Sequence, residues 1–209
     1  MKKTHGYFLT FEGPEGSGKS TQIRLAEDYL LNCGHKVLIL REPGGTEVSE
    51  AIRRILLHNR FKDMSAETEL LLYLAARSEI VRKKIRPALE RGMVVICDRF
   101  EDSTMAYQGY GRELPLVLIQ QISRFVREDC VPDRTILLDI APHKGLKRGG
   151  RIDRIELQSM DFHRRVRKGF LALARKQKNR FIVLNALQDR ETIAQIIRER
   201  LNRDLGKGF

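Results

Sequence analysis

Residue types that mark disulfide-rich or zinc-binding proteins are scarce in this 209-residue sequence. It has no tryptophan, and its three cysteines, Cys33, Cys97 and Cys130, are far apart and form no Cys-x-x-Cys pair. The five histidines show no metal-ligand spacing. An odd number of isolated cysteines argues against a disulfide framework and favours a reducing compartment, so we expect neither disulfides nor zinc.

Long hydrophobic runs are missing as well. No stretch of about 18 apolar residues occurs, which predicts no transmembrane helix and no membrane partner. The N-terminal segment MKKTHGYFLTFEG has an apolar run that is too short for a signal peptide, and it soon reaches Glu12. Together with the cysteine pattern, this predicts a cytoplasmic protein.

Acidic charge is low relative to basic charge. The chain has 39 Lys and Arg against 27 Asp and Glu, a net charge of +12. This balance favours anionic partners such as nucleotides, nucleic acid or an acidic membrane, and a solvated basic surface would give the same composition. A hydrophobic fraction of 42% and a charged fraction of 32% suit a globular protein, which we expect to form one domain over residues 1–209.

Short apolar runs alternate with helical patterns along the chain. The runs predict strands at 6–13, 36–45, 93–100, 134–140 and 180–186. Helices are predicted at 21–34, 65–91, 114–129, 157–178 and 189–204, with an interruption after Arg86 because Pro87 follows it. Apolar strands separated by helices predict a doubly wound α/β fold with a five-stranded parallel sheet, and ligands bind such folds at the carboxyl ends of the strands.

The segment GPEGSGKS, residues 13–20, matches the phosphate-loop pattern G-x-x-x-x-G-K-[ST] between a predicted strand and a predicted helix. Its backbone N–H groups and the helix N-terminus suit phosphate oxygens. Lys19 is expected to reach the β- and γ-phosphates of ATP, and Ser20 to hold Mg²⁺. The predicted ATP-binding residues of this loop are Gly13, Pro14, Glu15, Gly16, Ser17, Gly18, Lys19, Ser20 and Thr21.

The residues after the third strand indicate the class of reaction. That strand ends in Asp98 and Arg99, where a nucleic-acid motor has an acidic pair, one member of which activates water. Arginine stays protonated and cannot activate water, but it can bind a phosphate through two hydrogen bonds. No N-K-x-D motif for guanine occurs in the sequence. The pattern therefore favours transfer of a phosphoryl group to a second phosphate.

The sequence resembles the thymidylate (dTMP) kinases over nearly its whole length. The resemblance is carried by FEGPEGSGKST, REPGGT (41–46), LLLYLAARSE (70–79), DRFEDSTMAYQG (98–109), LLDI (137–140) and GLKR…DRIE (145–156), in that order. It implies a nucleoside monophosphate kinase with a phosphate loop, which transfers the γ-phosphate of ATP to dTMP with Mg²⁺ and yields dTDP for dTTP synthesis. It also implies a homodimer, with no nucleic-acid partner.

The resemblance also implies how dTMP is bound. Arg99 is expected to bind the dTMP phosphate, with Arg41 as a weaker candidate whose role could equally be structural. Glu15 is placed near the 3′-hydroxyl of the sugar or a metal-bound water. Tyr107 is placed where it crowds the sugar 2′ position, which favours deoxyribose.

For the base, the resemblance places Tyr73 against the thymine ring and Arg77, four residues later on one helix face, at a thymine carbonyl. Ser103 or Thr104, and Gln108, are candidates for the base edge. Asp98 is expected to bind Mg²⁺ through water. Tyr73 and Tyr107 would also suit ordinary core packing. Phe100 replaces the Tyr or His that is common in the family after the Asp-Arg pair.

A predicted lid, residues about 142–156, contains GLKRGGRIDRIE. Positions 14, 15 and 17 are Pro, Glu and Ser, so the phosphate loop lacks the arginine that some dTMP kinases have there. The resemblance is therefore to the subtype in which lid arginines act on the γ-phosphate. Arg151 is the first candidate and Arg154 the second. Arg148 is expected near the adenine, and Glu156 near Mg²⁺-bound water.

Two other functions fit parts of the sequence. A kinase for another monophosphate, such as dUMP, CMP or GMP, has the same architecture; Tyr73, Arg77 and Tyr107 argue against ribonucleotides but do not exclude dUMP. A basic nucleic-acid-binding ATPase fits the net charge. The Asp98-Arg99 pair and the lack of interleaved basic and aromatic residues argue against it.

Overall fold

A five-stranded parallel sheet forms the centre of the molecule, as the sequence predicts. The computed structural model describes residues 6–148 and 153–206. Its strands lie in the order β2-β3-β1-β4-β5, and every neighbouring pair is parallel. The strands are β1 (Tyr7–Glu12), β2 (Val37–Arg41), β3 (Val94–Asp98), β4 (Arg134–Asp139) and β5 (Phe181–Asn185).

Strand β1 is apolar along most of its length because helices cover both faces of the sheet. All six of its residues are buried. Leu9 and Phe11 belong to the apolar core on one face, whereas Phe8 belongs to the core on the other. This alternation with a period of two assigns successive side chains to opposite layers.

Helices connect the strands and form the two outer layers. Those described are α1 (Lys19–Asn32), α2 (Glu47–Leu57), α3 (Ala66–Ile80), α4 (Arg86–Glu90), α5 (Glu101–Thr104), α6 (Leu116–Arg127), α7 (Pro142–Gly145), α8 (Met160–Lys176) and α9 (Arg190–Leu205). Within the described ranges, none of them is long and apolar enough to cross a membrane.

The sequence patterns did not predict helix α2 or the helical segment after β3. In α2, Thr46 is the N-cap, and its side chain accepts a hydrogen bond from the Ser49 backbone N–H. This cap and the acidic residues of the first turn are ordinary helix-start signals, but they directly follow the turn at Pro43–Gly45. After β3, α5 continues into a π-helical segment, Met105–Gly111.

The expected interruption at Pro87 takes a different form. A π-helical segment, Val81–Ile85, joins α3 to α4, and Pro87 lies in the first turn of α4. Arg86 keeps helical dihedral angles, φ −56° and ψ −52°, and α4 continues through Pro87, so the helix is not interrupted after Arg86 as predicted. The proline's missing N–H falls in a first turn, where the regular hydrogen-bond pattern does not require a donor.

The carboxyl ends of three neighbouring strands meet at one edge of the sheet. Phe11 of β1 and Arg41 of β2 both pair in register with Asp98 of β3. The residues after these strands, including the phosphate loop that follows Glu12, therefore converge on one region, which is where a doubly wound sheet binds ligands.

Candidate active site

One cavity of about 270 Å³ opens at this edge of the sheet. It is lined by all nine residues predicted to bind the acceptor nucleotide, namely Glu15, Arg41, Tyr73, Arg77, Arg99, Ser103, Thr104, Tyr107 and Gln108. Lys19, Asp98 and Glu156 also line it. Residues from six separate segments of the sequence thus share one space.

The phosphate loop bends tightly against the segment that follows β4. Gly16 has φ +66°, and a Cβ added there would lie 2.0 Å from the Gly145 carbonyl oxygen. A Cβ on Gly145 would in turn lie 2.2 Å from the Glu15 carbonyl oxygen. Both positions therefore require glycine because two backbones are in contact. Gly145 is the last residue of a short helix, Pro142–Gly145, and it serves close packing.

Lys19 is buried in the first turn of α1, and its Nζ donates to the carbonyl oxygens of Gly13 and Pro14, both at 3.0 Å. Burial, followed by repulsion from Arg99, lowers the pKa of Lys19 to about 8, although Asp98 and Glu15 oppose the shift. A bound phosphate would favour the charged form of the same amine.

Arg99 lies at the centre of the cavity in a left-handed backbone conformation, φ +70°. Its backbone N–H donates to the Phe11 carbonyl oxygen at 2.9 Å. Its guanidinium donates to the Gly13 carbonyl oxygen at 3.1 Å, to Ser103 Oγ at 3.2 Å and to Glu15 Oε1 at 3.0 Å. These contacts hold the guanidinium, a group that can bind a phosphate through two hydrogen bonds, beside the phosphate loop.

Glu12, which the sequence reasoning missed, holds the segment that directly follows Arg99. Its carboxylate is fully buried and accepts hydrogen bonds from the Phe100 backbone N–H at 2.8 Å and from Ser103 Oγ at 2.5 Å. Burial and the neighbouring Asp102 raise the pKa of Glu12 to about 8. Glu12 is the last residue of an apolar strand and directly precedes the phosphate loop. This position was the sequence signal that could have identified it as a site residue.

Glu15 lies between Arg99 and Tyr107. Its Oε1 accepts hydrogen bonds from the Tyr107 hydroxyl at 2.6 Å and from Arg99 Nη2 at 3.0 Å. Burial alone would raise the pKa of Glu15, but Arg99 and Lys19 outweigh burial and hold this pKa below its ordinary value. The side chain is therefore a carboxylate at neutral pH.

Arg77 and Tyr73 occupy the deeper wall, on α3. Arg77 pairs with Glu42 through Nε at 2.8 Å and Nη2 at 2.6 Å, and it stacks over Phe100 at 5.0 Å from the ring centroid. The Arg77 Nη1 atom is buried and has no hydrogen-bond partner among the described residues. A donor thus remains at the cavity wall, which suits a carbonyl oxygen of a base.

Gln108 and Arg41 have partners that restrict them differently. Gln108 is buried, and its Nε2 donates to Glu69 Oε1 at 2.8 Å. Arg41 is more than half exposed, and its Nη2 contacts both Glu50 carboxylate oxygens at 3.1 Å. Gln108 is therefore fixed, whereas Arg41 sits at the cavity mouth in an exposed ion pair.

Arg53 is a cavity residue that sequence reasoning missed. It lies on α2, the unpredicted helix, and its Nη1 donates to the Pro43 carbonyl oxygen at 2.8 Å. The turn that precedes α2 includes a cis peptide bond between Glu42 and Pro43. Recognition of the helix start at Thr46 would have placed Arg53 on an inward face.

The predicted lid residues fall in three places. Arg148 Nη1 donates to the Ala186 carbonyl oxygen at 3.3 Å, in the segment that directly follows β5. Arg154 is 1% exposed; it donates to the Leu56 carbonyl oxygen at 2.8 Å and pairs with Glu69 at 2.7 Å, and it lies outside the residues that line the cavity. Arg151, like Gly149 and Gly150, lies outside the described residues.

A doubly wound sheet, a phosphate loop and a second basic cluster in the same cavity are the features of a kinase that transfers a phosphoryl group from one phosphate-bearing substrate to another. The Thymidylate kinase family model matches residues 11–197. The chain therefore belongs to the thymidylate kinase family, whose activity is the phosphorylation of dTMP to dTDP.

Individual relatives agree with the family match. The thymidylate kinase of Bacillus cytotoxicus is 47% identical over 91% of this chain and 94% of its own length. That of Symbiobacterium thermophilum is 47% identical over 97% of this chain and 95% of its own length. The crystal structure of the Ehrlichia chaffeensis enzyme has a TM-score of 0.77 at 36% identity, and the match covers 94% of this chain and 98% of that one.

The pKa of Lys19 predicts how ATP affinity depends on pH. Because the lysine is charged below a pKa of about 8 and neutral above it, the dissociation constant for ATP should rise about tenfold from pH 7 to pH 9. Titration calorimetry at several pH values measures this change. Lys19→Ala is the control, since its weaker binding should not vary over the same range. A wild-type affinity that is equal at pH 7 and pH 9 would contradict the prediction.

Proposed function

We propose that this enzyme phosphorylates dTMP to dTDP by transferring the γ-phosphate of ATP within the cavity beside Lys19. The observation that carries the proposal is the convergence of the nine predicted acceptor residues on that cavity. The phosphate loop binds the donor and the Arg99 side binds the acceptor. Arg99 already contacts the carbonyl oxygen of Gly13, so the two phosphates meet at a shared boundary.

On the donor side, the loop amides and Lys19 bind the β- and γ-phosphates, and the side chain of Arg148 lies close to the adenine. Mg²⁺ fits the oxygen groups present: Asp98 Oδ1 is buried without a hydrogen-bond partner among the described residues, and Ser20 is the second residue of α1. Ser20 would hold the ion directly, and Asp98 and Glu156 would hold it through water. The ion would supply positive charge that neutralises the phosphates.

On the acceptor side, Arg99 binds the dTMP phosphate, and Arg53 and Arg41 approach the same end of the cavity. Tyr73 packs against thymine, Arg77 donates to a thymine carbonyl, and Ser103, Thr104 and Gln108 contact the base edge. Tyr107 closes the space at the sugar 2′ position, and Glu15 accepts a hydrogen bond from the 3′-hydroxyl. No general base is required, because the acceptor phosphate is already ionised at neutral pH.

For the lid, residues 142–156, we assign Arg151 to the γ-phosphate. The burial of Arg154 against Glu69 supports this choice, because a side chain that closes a buried ion pair on α3 anchors the lid base. Glu69 also pairs with Arg112 at 2.9 Å, so the anchor is a network of two arginines on one carboxylate. These contacts support the proposal that the enzyme is of the subtype whose catalytic arginine comes from the lid.

The enzyme acts as a homodimer in the cytoplasm. Support for the dimer comes from large apolar side chains that are exposed on two neighbouring helices, α3 and α6: Leu71 is 58% exposed, Val117 66% and Phe125 80%. Apolar area of this kind favours burial against a second protein surface. Support for the cytoplasm comes from Cys33, Cys97 and Cys130, all of which are free thiols.

A substrate panel tests the function. With ATP and Mg²⁺, ADP production should be highest with dTMP and much lower with AMP, CMP and GMP, because Tyr107 crowds the 2′ position. The ratio of dTMP to dUMP activity measures recognition of the thymine methyl group, which is worth about tenfold. Equal ADP production with dTMP and CMP would refute the proposal. ATP hydrolysis stimulated by duplex DNA alone would favour the nucleic-acid ATPase.

A comparison of Arg151→Ala with Arg154→Ala tests the lid assignment. Arg151→Ala should lower kcat at saturating substrates on the order of 10³-fold, as expected for an arginine on the transferring phosphate, with an unchanged melting temperature. Arg154→Ala should destabilise the fold by about 3 kcal/mol because Glu69 loses a buried partner. The assignment fails if Arg154→Ala gives the larger loss of kcat at full stability.

A further inference from the structure

His163 is a buried histidine that the roles assigned above do not use. It lies in the first turn of α8, directly after the lid segment, and its side chain is 2% exposed. Its two ring nitrogens face two different parts of the site. Nδ1 is 3.8 Å from Glu15 Oε2, and Nε2 is 3.4 Å from the Glu156 carbonyl oxygen.

Glu15 has one oxygen that is satisfied and one that is not. Oε1 accepts hydrogen bonds from Tyr107 and Arg99, whereas Oε2 is buried and has no hydrogen-bond partner in the described part of the chain. A buried carboxylate oxygen without a donor is costly, so this atom is expected to acquire one during the reaction cycle. The side chain of His163 points a ring nitrogen at it from 3.8 Å.

We infer that His163 is a positioning residue. From the start of α8, directly after the lid, it donates a hydrogen bond to Glu15 Oε2 and so fixes the orientation of that carboxylate. A shift of about 1 Å brings Nδ1 within hydrogen-bond distance of Oε2. Nδ1 carries the hydrogen in this bond, and the opposite nitrogen, 3.4 Å from the Glu156 carbonyl oxygen, then only packs against that backbone. The imidazole therefore lies between the phosphate loop and the segment that ends the lid. The inference rests on the proposed role of Glu15 toward the 3′-hydroxyl of the acceptor.

The neighbouring side chains restrict the orientation of both the imidazole and the Glu15 carboxylate. The rings of Phe162 and His163 pack edge to face at a centroid distance of 5.4 Å and an interplanar angle of 84°, which restricts the imidazole plane. Tyr107 and Arg99 hold Oε1 of Glu15, whereas Oε2 has no donor among the described residues. A donor on Oε2 fixes the second oxygen as well and therefore sets the direction of the lone pairs offered to a substrate hydroxyl.

Three substitutions of His163 separate this role from packing. Asn places its amide near the position of Nδ1, Gln places its amide near Nε2, and Phe fills the space without a donor. We would measure kcat/KM for dTMP and for 3′-deoxy-dTMP at saturating ATP, with the melting temperature of each variant. The ratio of the two values isolates recognition of the 3′-hydroxyl.

Wild-type enzyme should prefer dTMP by about tenfold or more, the effect of one hydrogen bond to a charged group. His163→Phe should lose most of that preference while its kcat/KM for 3′-deoxy-dTMP changes by less than about threefold. His163→Asn should restore the preference, and His163→Gln should not. Should the Phe variant fail to fold, the comparison of Asn with Gln decides.

Two results would overturn the inference, and they differ in whether the proposed role of Glu15 also fails. If wild-type enzyme discriminates but His163→Phe discriminates equally well, or Asn and Gln behave alike, His163 only packs and the role of Glu15 stands. If wild-type enzyme itself shows no preference for dTMP over 3′-deoxy-dTMP, the assignment of Glu15 to the 3′-hydroxyl falls and the inference falls with it.

Discussion

The buried side chain of Glu12 connects the two halves of the active site. It is fully buried at the end of β1, and from there it accepts the Phe100 backbone N–H and the Ser103 hydroxyl, both of which belong to the segment after β3. Directly before these contacts, Arg99 adopts φ +70°, a conformation that non-glycine residues seldom keep without support. Its own N–H donates to the carbonyl oxygen of Phe11, so the end of β1 holds the backbone at Arg99 and directly after it.

Charge around this point is arranged in buried pairs of opposite sign. Arg99 contacts Glu15, Arg77 pairs with Glu42, and Arg154 pairs with Glu69. Each pair keeps a guanidinium charged and oriented in an environment where an isolated charge would be unstable. Groups that are already oriented do not have to reorganise when two anionic substrates approach each other, and this is how an enzyme of phosphoryl transfer lowers its barrier.

Much of the site follows from local sequence because its residues lie directly after apolar strands. The phosphate loop follows β1 and the Asp98-Arg99 pair follows β3, so strand prediction alone brings them together. Arg53 was missed because its helix starts directly after a turn. Glu12, Arg154 and His163 were not placed correctly because their partners are distant in sequence. Arg154, for example, pairs with Glu69, which lies 85 positions earlier (154 − 69). Hydrophobic periodicity does not predict contacts of this kind. The π-helical segments also lack a sequence signal, since both extend ordinary helices.

The most direct test of the central claim is a double-mutant cycle between Glu12→Gln and Arg99→Ala, read as kcat/KM for dTMP with the ATP dissociation constant as control. If Glu12 acts by holding Arg99, each single variant should lower kcat/KM by about 10²-fold or more, and the double variant should be little worse than Arg99→Ala alone. ATP affinity should change by less than about threefold in Glu12→Gln, since the phosphate loop keeps its own contacts. Losses that multiply in the double variant would show that Glu12 and Arg99 act independently, and would contradict the account.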